Sequence, residues 1–89
     1  MHRSWQIVIL RQAKKYLKKL SYAKRERILN VLGAMQTNPN KVPVKPLKGR
    51  PEKSLRVGDL RILLMFDTAN RKVVVTRIGP RGSIYKQQK

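Results

Sequence analysis

The chain has 89 residues, enough for one domain with a modest core, so we expect residues 1–89 to form a single domain. It contains no cysteine, which excludes disulfides and thiolate metal sites. Its 22 lysines and arginines against 4 acidic residues give a net charge of +18, which favours a polyanionic partner, either nucleic acid or an acidic protein. The longest apolar run, residues 62–66, is far shorter than the roughly 20 residues of a membrane helix, so we expect no membrane partner and a cytoplasmic location.

The N-terminal half predicts one strand followed by two helices. Residues 4–10 alternate in the manner of a strand, and from Arg11 the apolar residues recur at helical spacing with lysines on the other side. The apolar stripe consists of Ala13, Tyr16, Leu17 and Leu20, and the lysines are Lys14, Lys15, Lys18 and Lys19. A second helix begins after Ser21, a suitable N-cap, and ends near Asn38, because the residue before Pro39 disfavours helical backbone.

A proline-rich connection and a hairpin come next. Residues 39–52 hold four of the five prolines and predict an ordered but irregular segment, in which Lys48 and Arg50 are either solvated or grip a nucleic-acid backbone. Residues 53–61, K-S-L-R-V-G-D-L-R, are typical of two strands joined by a two-residue Gly58-Asp59 turn. Counting outward from that turn pairs Val57 with Leu60, Arg56 with Arg61, and Leu55 with Ile62.

The predicted hairpin therefore sets Arg56 directly opposite Arg61. Like charges in such a pair are destabilising, because their Cβ atoms lie only about 5 Å apart. One interpretation is that both guanidinium groups splay into water at small cost. The other is a cationic fork that awaits a phosphate, which arginine binds with planar bidentate geometry.

The last predicted elements are a strand at residues 60–67, a turn at residues 68–71 and a strand at residues 72–78. If the turn closes symmetrically, Val73 and Val75 share the face of Leu64, and this face is the better surface for helix packing. The Arg61 face then also carries Val74, Thr76 and Ile78. The predicted fold is α+β in the order strand, helix, helix, strand, strand, strand, with an antiparallel sheet and both helices on one face. The pairing of the first strand is left open.

Arginine, lysine and tyrosine are the residue types left for chemistry. The sole histidine, His2, is near the N-terminus, and the acidic residues have no spacing typical of a metal site, so we predict neither metal nor cofactor. These types suit attack by an RNA 2′-hydroxyl on its own phosphate, with Arg56, Arg61 and Arg81 stabilising the developing charge. Tyr85 either stacks on a base, exchanges a proton or anchors the C-terminal segment.

Three motifs, taken in order, resemble the RelE/ParE superfamily of bacterial and archaeal toxins, and specifically its RelE-like mRNA interferase branch. They are P-L-K-G at residues 46–49, L-R-V-G-D-L-R-I-L-L at residues 55–64, and R-I-G-P-R-G-S-I-Y at residues 77–85. The lysine-bearing helix at residues 13–20 precedes them, so that the resemblance spans nearly the whole chain.

The resemblance implies a type II toxin that cuts mRNA in the A site of the 70S ribosome, without a metal, and that a cognate acidic antitoxin inhibits. It also implies that toxin and antitoxin together bind operator DNA through the antitoxin. Arg56, Arg61, Arg81 and Tyr85 match the catalytic positions. The further candidates for holding RNA are Lys48, Arg50, Lys53 and Arg77.

Three positions depart from the pattern of these toxins. Relatives often carry Lys or Arg at the position of Ser54, for which Lys53 and Lys48 are the candidate substitutes, and many have Tyr at Leu60 and His at Pro80. The missing histidine leaves no obvious general base, because arginine stays protonated in proteins. Either the pKa of Tyr85 is depressed by nearby cations or the ribosome supplies most of the catalysis by positioning, and we favour the second. Two alternatives remain: a non-catalytic ParE-like inhibitor of gyrase, and a small ribosomal or RNA-binding protein.

Overall fold

The computed structural model describes residues 4–80, which form an α+β domain and confirm the predicted fold class. Its elements are β1 (Gln6–Ile9), α1 (Arg11–Lys19), α2 (Tyr22–Thr37), a short 3-10 helix (Pro39–Lys41), β2 (Lys45–Pro46), β3 (Lys53–Val57), β4 (Leu60–Asp67) and β5 (Lys72–Pro80). The predicted C-terminal segment, with Arg81 and Tyr85, lies outside the described residues.

The five strands form one sheet in the order β1-β5-β4-β3-β2. Three of the neighbouring pairs are antiparallel, as predicted, but β1 runs parallel to β5, so the sheet is mixed. Parallel neighbours need a long connection, and here the helices and the central hairpin supply it. The short β2 also adds a strand within the proline-rich segment, where we predicted an irregular connection.

Both helices pack against one side of the sheet. The buried residues of α1 and α2 meet strand residues such as Leu55, Ile62 and Val75 in a single core. The helix residues that are buried are Ala13, Leu17, Ile28, Leu32 and Met35. We call this side the helix face. Within the described part of the chain, neither helix is both long and apolar enough to cross a membrane.

The predicted limits of α2 are confirmed at both ends. Ser21 is its N-cap, and the Ser21 hydroxyl oxygen accepts a hydrogen bond from the backbone N–H of Lys24 at 3.4 Å. The helix ends at Thr37 with Asn38 as its C-cap, directly before Pro39. Local capping chemistry and the steric effect of proline therefore set this helix.

The central hairpin has the predicted register. Val57 pairs with Leu60, Arg56 with Arg61, and Leu55 with Ile62. Gly58 has φ of 63°, whereas Asp59 does not have a positive φ, and glycine at the first of two turn residues is the type II′ pattern that suits twisted strands. The turn thus fixes which residues of β3 and β4 share a side of the sheet.

A β-bulge interrupts the pairing of β4 with β5. Leu64 pairs with Val75 but Leu63 pairs with Arg77, so Thr76 is an extra residue in β5. Val73 and Val75 face the helices as predicted. The prediction for Ile78 is wrong, because the bulge shifts the register by one and places Ile78 opposite Ile62, in the core.

Candidate nucleic-acid interface

Arg56 and Arg61 project from the side of the sheet that faces away from the helices. They are directly opposed across β3 and β4, so their side chains share this side, which we call the arginine face. The strand pairing places two more residues on this side. They are Ser54 of β3 and Arg77 of β5, which both pair with Leu63 of β4. The structure thus joins three of the predicted site arginines on one surface.

The two arginines of the hairpin turn in different directions. Arg56 is exposed, and its Nε donates a hydrogen bond to the Gly58 carbonyl at 3.2 Å. Arg61 is partly buried, and its Nη1 donates to the Ser54 hydroxyl at 3.1 Å. The side chains therefore bend apart, as in the splayed arrangement considered above, which reduces their repulsion without removing it.

Arg61 also carries an unsatisfied donor. Among the described residues, its Nε is the buried side-chain nitrogen for which no hydrogen-bond partner exists. A buried donor without a partner costs stability, so Arg61 is held in place at some energetic cost. The Arg61 side chain as a whole is only partly buried, and guanidinium groups bind phosphate oxygens strongly.

A groove of about 680 Å³ runs beside these arginines, along the side of β3 that β2 leaves uncovered. It is lined by Arg27, Asn30 and Val31 of α2, by Val42, Pro43 and Lys45, by residues 54–58, and by Arg61. Its polar lining is cationic or neutral, and its apolar part comes from valines, a leucine and a proline. The groove therefore suits a ligand that is anionic and partly apolar, such as a nucleotide or an acidic peptide.

Sequence reasoning missed two cations of this groove, Arg27 and Lys45. The sequence pattern of α2 places Arg27 on the solvent side of the helix. In the structure, however, the Arg27 guanidinium lies over the hairpin turn, where a Cβ added to Gly58 would be 3.4 Å from the Arg27 Nη1. Lys45 belongs to β2, whose pairing brings it next to Ser54. The contact of Arg27 with the turn depends on how α2 packs on the sheet, and no local signal reveals it.

The remaining RNA-binding candidates are not gathered in one place. Lys48 is exposed in the turn before β3. Arg77 is partly buried, and it is the one of these four candidates that the strand pairing places on the arginine face. Arg50 forms an ion pair with Glu52, so it is less available than a solvated loop arginine. Lys53 lies on the helix face, where its Nζ is 5.9 Å from the centre of the Phe66 ring, so it does not substitute there for the cation absent at Ser54.

Within residues 4–80, no group of three or more histidine or acidic side chains could hold a metal ion. What the described surface offers is electrostatic stabilisation of a phosphate by Arg56, Arg61 and Arg77. Such a site can stabilise charge that develops on phosphate oxygens, and the three arginines themselves supply no nucleophile.

A small α+β domain with two helices on one side of a five-stranded mixed sheet has the architecture of the RelE toxins. The crystal structure of the toxin-antitoxin complex RelBE2 from Mycobacterium tuberculosis is similar, with 24% identity, a TM-score of 0.76, and coverage of 89% of this chain and 93% of that chain. The RelE-RelB complex from Pyrococcus horikoshii OT3 gives 24% identity, a TM-score of 0.77 and coverage of 89% and 97%.

The isolated RelE toxin of E. coli is also similar, with 20% identity, a TM-score of 0.75 and coverage of 93% of both chains. No protein-family model matches the sequence, and no curated protein matches it significantly. The chain therefore has the RelE fold, which confirms at the level of structure the resemblance found in its motifs.

Proposed function

We propose that this protein is the toxin of a type II toxin-antitoxin system and acts as a ribosome-dependent endoribonuclease. The observation that carries the proposal is the opposed pair of Arg56 and Arg61 on the side of the sheet that the helices leave open. Two like charges on directly opposed residues cost stability, and an anion bound between them would offset that cost. The RelE fold makes an mRNA phosphate the first candidate for that anion.

In the proposed mechanism, the RNA supplies its own nucleophile. The 2′-hydroxyl attacks the adjacent phosphorus, a cyclic phosphate forms, and the 5′-oxygen of the next nucleotide leaves with a proton. Arg56 and Arg61 stabilise the extra negative charge on the phosphate oxygens. Arg81 acts on the leaving group, and Tyr85 stacks on a base or helps to move a proton. No metal enters this scheme, and the ribosome contributes by holding the mRNA in the reactive geometry.

A second basic surface supports the choice of the ribosome over free RNA. Five of the nine residues of α1 are basic, none is acidic, and all five are exposed. They are Arg11, Lys14, Lys15, Lys18 and Lys19. Like charges at this spacing destabilise a helix, and α1 packs on the side of the sheet opposite to the arginine face. A partner with phosphates on both sides of the protein, such as the ribosomal A site, would contact both surfaces.

The proposal includes an acidic antitoxin as the second partner. Four of the structurally similar chains come from complexes of a RelE toxin with its antitoxin, including the intact E. coli RelBE complex. A net charge of +18 favours a partly disordered acidic chain that folds on this domain. In this proposal the toxin is cytoplasmic, and the toxin-antitoxin complex binds operator DNA through the antitoxin.

Mapping of cleavage in translated messages tests the proposal. The protein is induced in cells, and primer extension locates cuts for the wild type, Arg61→Ala, Arg81→Ala and Tyr85→Ala, with Lys41→Ala as an exposed control. We expect discrete cuts within codons for the wild type and the control, and their loss in the three site variants. Growth arrest without cuts would favour a gyrase inhibitor, and binding of RNA without either effect would favour a structural RNA-binding protein.

A second assay separates the ribosome from its message. The purified protein is given the same mRNA either free or on programmed ribosomes. Because the described site has no general base, we expect much faster cleavage on ribosomes. Equal rates on both substrates would refute the dependence on the ribosome.

A further inference from the structure

Glu52 is unusual because it places a carboxylate on the arginine face. The chain has only four acidic residues, and the other three lie in α2, in the Gly58-Asp59 turn and at the end of β4. Glu52 precedes β3 and shares the side of Ser54 by strand alternation. A carboxylate repels a phosphate, so we expect a carboxylate beside an anion site to have a structural role.

Both carboxylate oxygens of Glu52 are engaged. Oε1 accepts from the Arg50 guanidinium, and Oε2 accepts a hydrogen bond from the Thr76 hydroxyl at 2.7 Å. The side chain of Glu52 is only 13% exposed. Since Glu52 borders β3 and Thr76 belongs to β5, this hydrogen bond crosses over β4 and ties together parts of the sheet that are not neighbours.

Thr76 is the extra residue of the β-bulge. Its hydroxyl lies 2.7 Å from Glu52 Oε2 and 3.1 Å from the Leu63 carbonyl oxygen. A hydroxyl has one proton to donate, and an ionised carboxylate can only accept. The Thr76 hydroxyl therefore donates its proton to Glu52 Oε2, which is the closer acceptor and the charged one. Glu52 therefore fixes the residue at which the register of β5 changes.

The bulge decides which residues of β5 reach the arginine face. With it, Arg77 pairs with Leu63 and Gly79 pairs with Arg61. Without it, the symmetric register would place Arg77 opposite Ile62, on the helix face, and Ile78 opposite Arg61. A slip of one residue exchanges the two sides of a strand. Arg77 would then enter an apolar core, and the arginine face would lose one of its cations.

We propose that Glu52 and Thr76 form a latch that holds the bulge in place and thereby positions Arg77 and Arg50 on the arginine face. This inference rests on the proposed function, since the latch matters for activity only if the arginine face binds RNA. Glu52 is a positioning residue in this arrangement, because both of its oxygens are occupied by the protein. It acts through the arginines and not on the RNA.

The test uses Thr76→Val, which keeps the shape of the side chain and removes the hydroxyl, and Thr76→Ser, which restores it. Thr37→Val, at the exposed end of α2, is the matched control, and Glu52→Gln removes the charge while keeping an acceptor. Each variant is titrated with a short RNA in which the 2′-hydroxyl at the cleavage position is replaced by hydrogen, at several salt concentrations. Heteronuclear NMR follows the cross-strand contact between residues 63 and 77.

We expect Thr76→Val to weaken RNA binding about tenfold and to reduce the salt slope by about one phosphate contact. The contact between residues 63 and 77 should be lost or broadened in the same variant. Thr76→Ser and Thr37→Val should behave like the wild type, and Glu52→Gln should fall between them. If Thr76→Val does not fold, Glu52→Gln carries the test through the NMR contact between residues 63 and 77, because loss of the carboxylate also removes a repulsion from the RNA and offsets part of the loss of affinity.

Unchanged affinity, salt slope and NMR contacts in both Thr76→Val and Glu52→Gln would overturn the latch. Reduced affinity with the contact between residues 63 and 77 intact would also overturn it, because the loss would then come from another cause. Failure of the proposed function appears differently, as absence of mRNA cleavage on ribosomes by the wild type. In that case the NMR contact alone decides whether Glu52 and Thr76 hold the register.

Discussion

Replacing Arg56 with glutamine is expected to stabilise the folded protein while it weakens phosphate binding. Arg56 is exposed and sits opposite Arg61, which is partly buried, so its removal relieves repulsion and costs little packing. Most surface substitutions change stability by less than about 0.5 kcal/mol and seldom raise it. An increase in stability beyond the general benefit of lowering the net charge of +18 would therefore mark a site that evolved for binding.

Coulomb's law gives the size of the effect. For guanidinium groups about 8 Å apart, the repulsion is about 0.5 kcal/mol in bulk water and about 2 kcal/mol at an effective dielectric constant of about 20. Because the Arg56 side chain is exposed, the value should lie toward the lower end, at about 0.5 to 1 kcal/mol. Added phosphate should cancel the advantage of the variant, because ligand binding stabilises only the protein that keeps the site.

A double-mutant cycle measures this repulsion directly. Urea unfolding, in a buffer without phosphate, is measured for the wild type, Arg56→Gln, Arg61→Gln and the double variant. The cycle removes the general benefit of lowering a charge of +18, since that benefit appears in each single variant. A coupling energy of zero, or an attractive one, would refute the view that the arginine pair is strained before an anion binds.

Three further predictions concern stability. Gly58→Ala should lower the free energy of unfolding by about 1 kcal/mol, as measured by urea unfolding, because φ is 63° at this position. Leu64→Ala should cost about 2 to 5 kcal/mol, since Leu64 is fully buried, and calorimetry will show a matching fall in Tm. The side-chain hydrogen bond from Asn70 lowers the pKa of Asp67 below its ordinary value of 3.8, so Asp67 stabilises the fold above that pH and loses this contribution as the pH falls through the lowered pKa. Asn70→Ala should raise the pKa of Asp67 in an NMR titration and remove that part of the acid dependence.

The central hairpin and the limits of α2 could be predicted because short-range chemistry determines them. A two-residue turn allows one register, so the opposition of Arg56 and Arg61 follows from counting. Ser21 and Pro39 likewise act on their immediate neighbours. In such cases the physical cause lies within a few residues of its effect.

The bulge and the parallel pairing of β1 could not be predicted for the opposite reason. Thr76 is fixed by Glu52, which is 24 positions away in the sequence, and the residues around Thr76 give no local sign of an insertion. The position of Arg27 over the turn also depends on the packing of α2. The candidate site was therefore predicted where it rests on the hairpin, and missed where it depends on contacts between distant segments.

The parallel pairing of β1 has a consequence for the synthesis of the chain. Residues 6–9 pair with residues 72–75, so β1, the first of the described strands to leave the exit tunnel, cannot pair until β5, the last of them, has left it. The sheet cannot be completed while the middle of the chain is still being translated. For a protein proposed to attack ribosomes, this order of assembly delays the active fold until residues 72–80 have emerged.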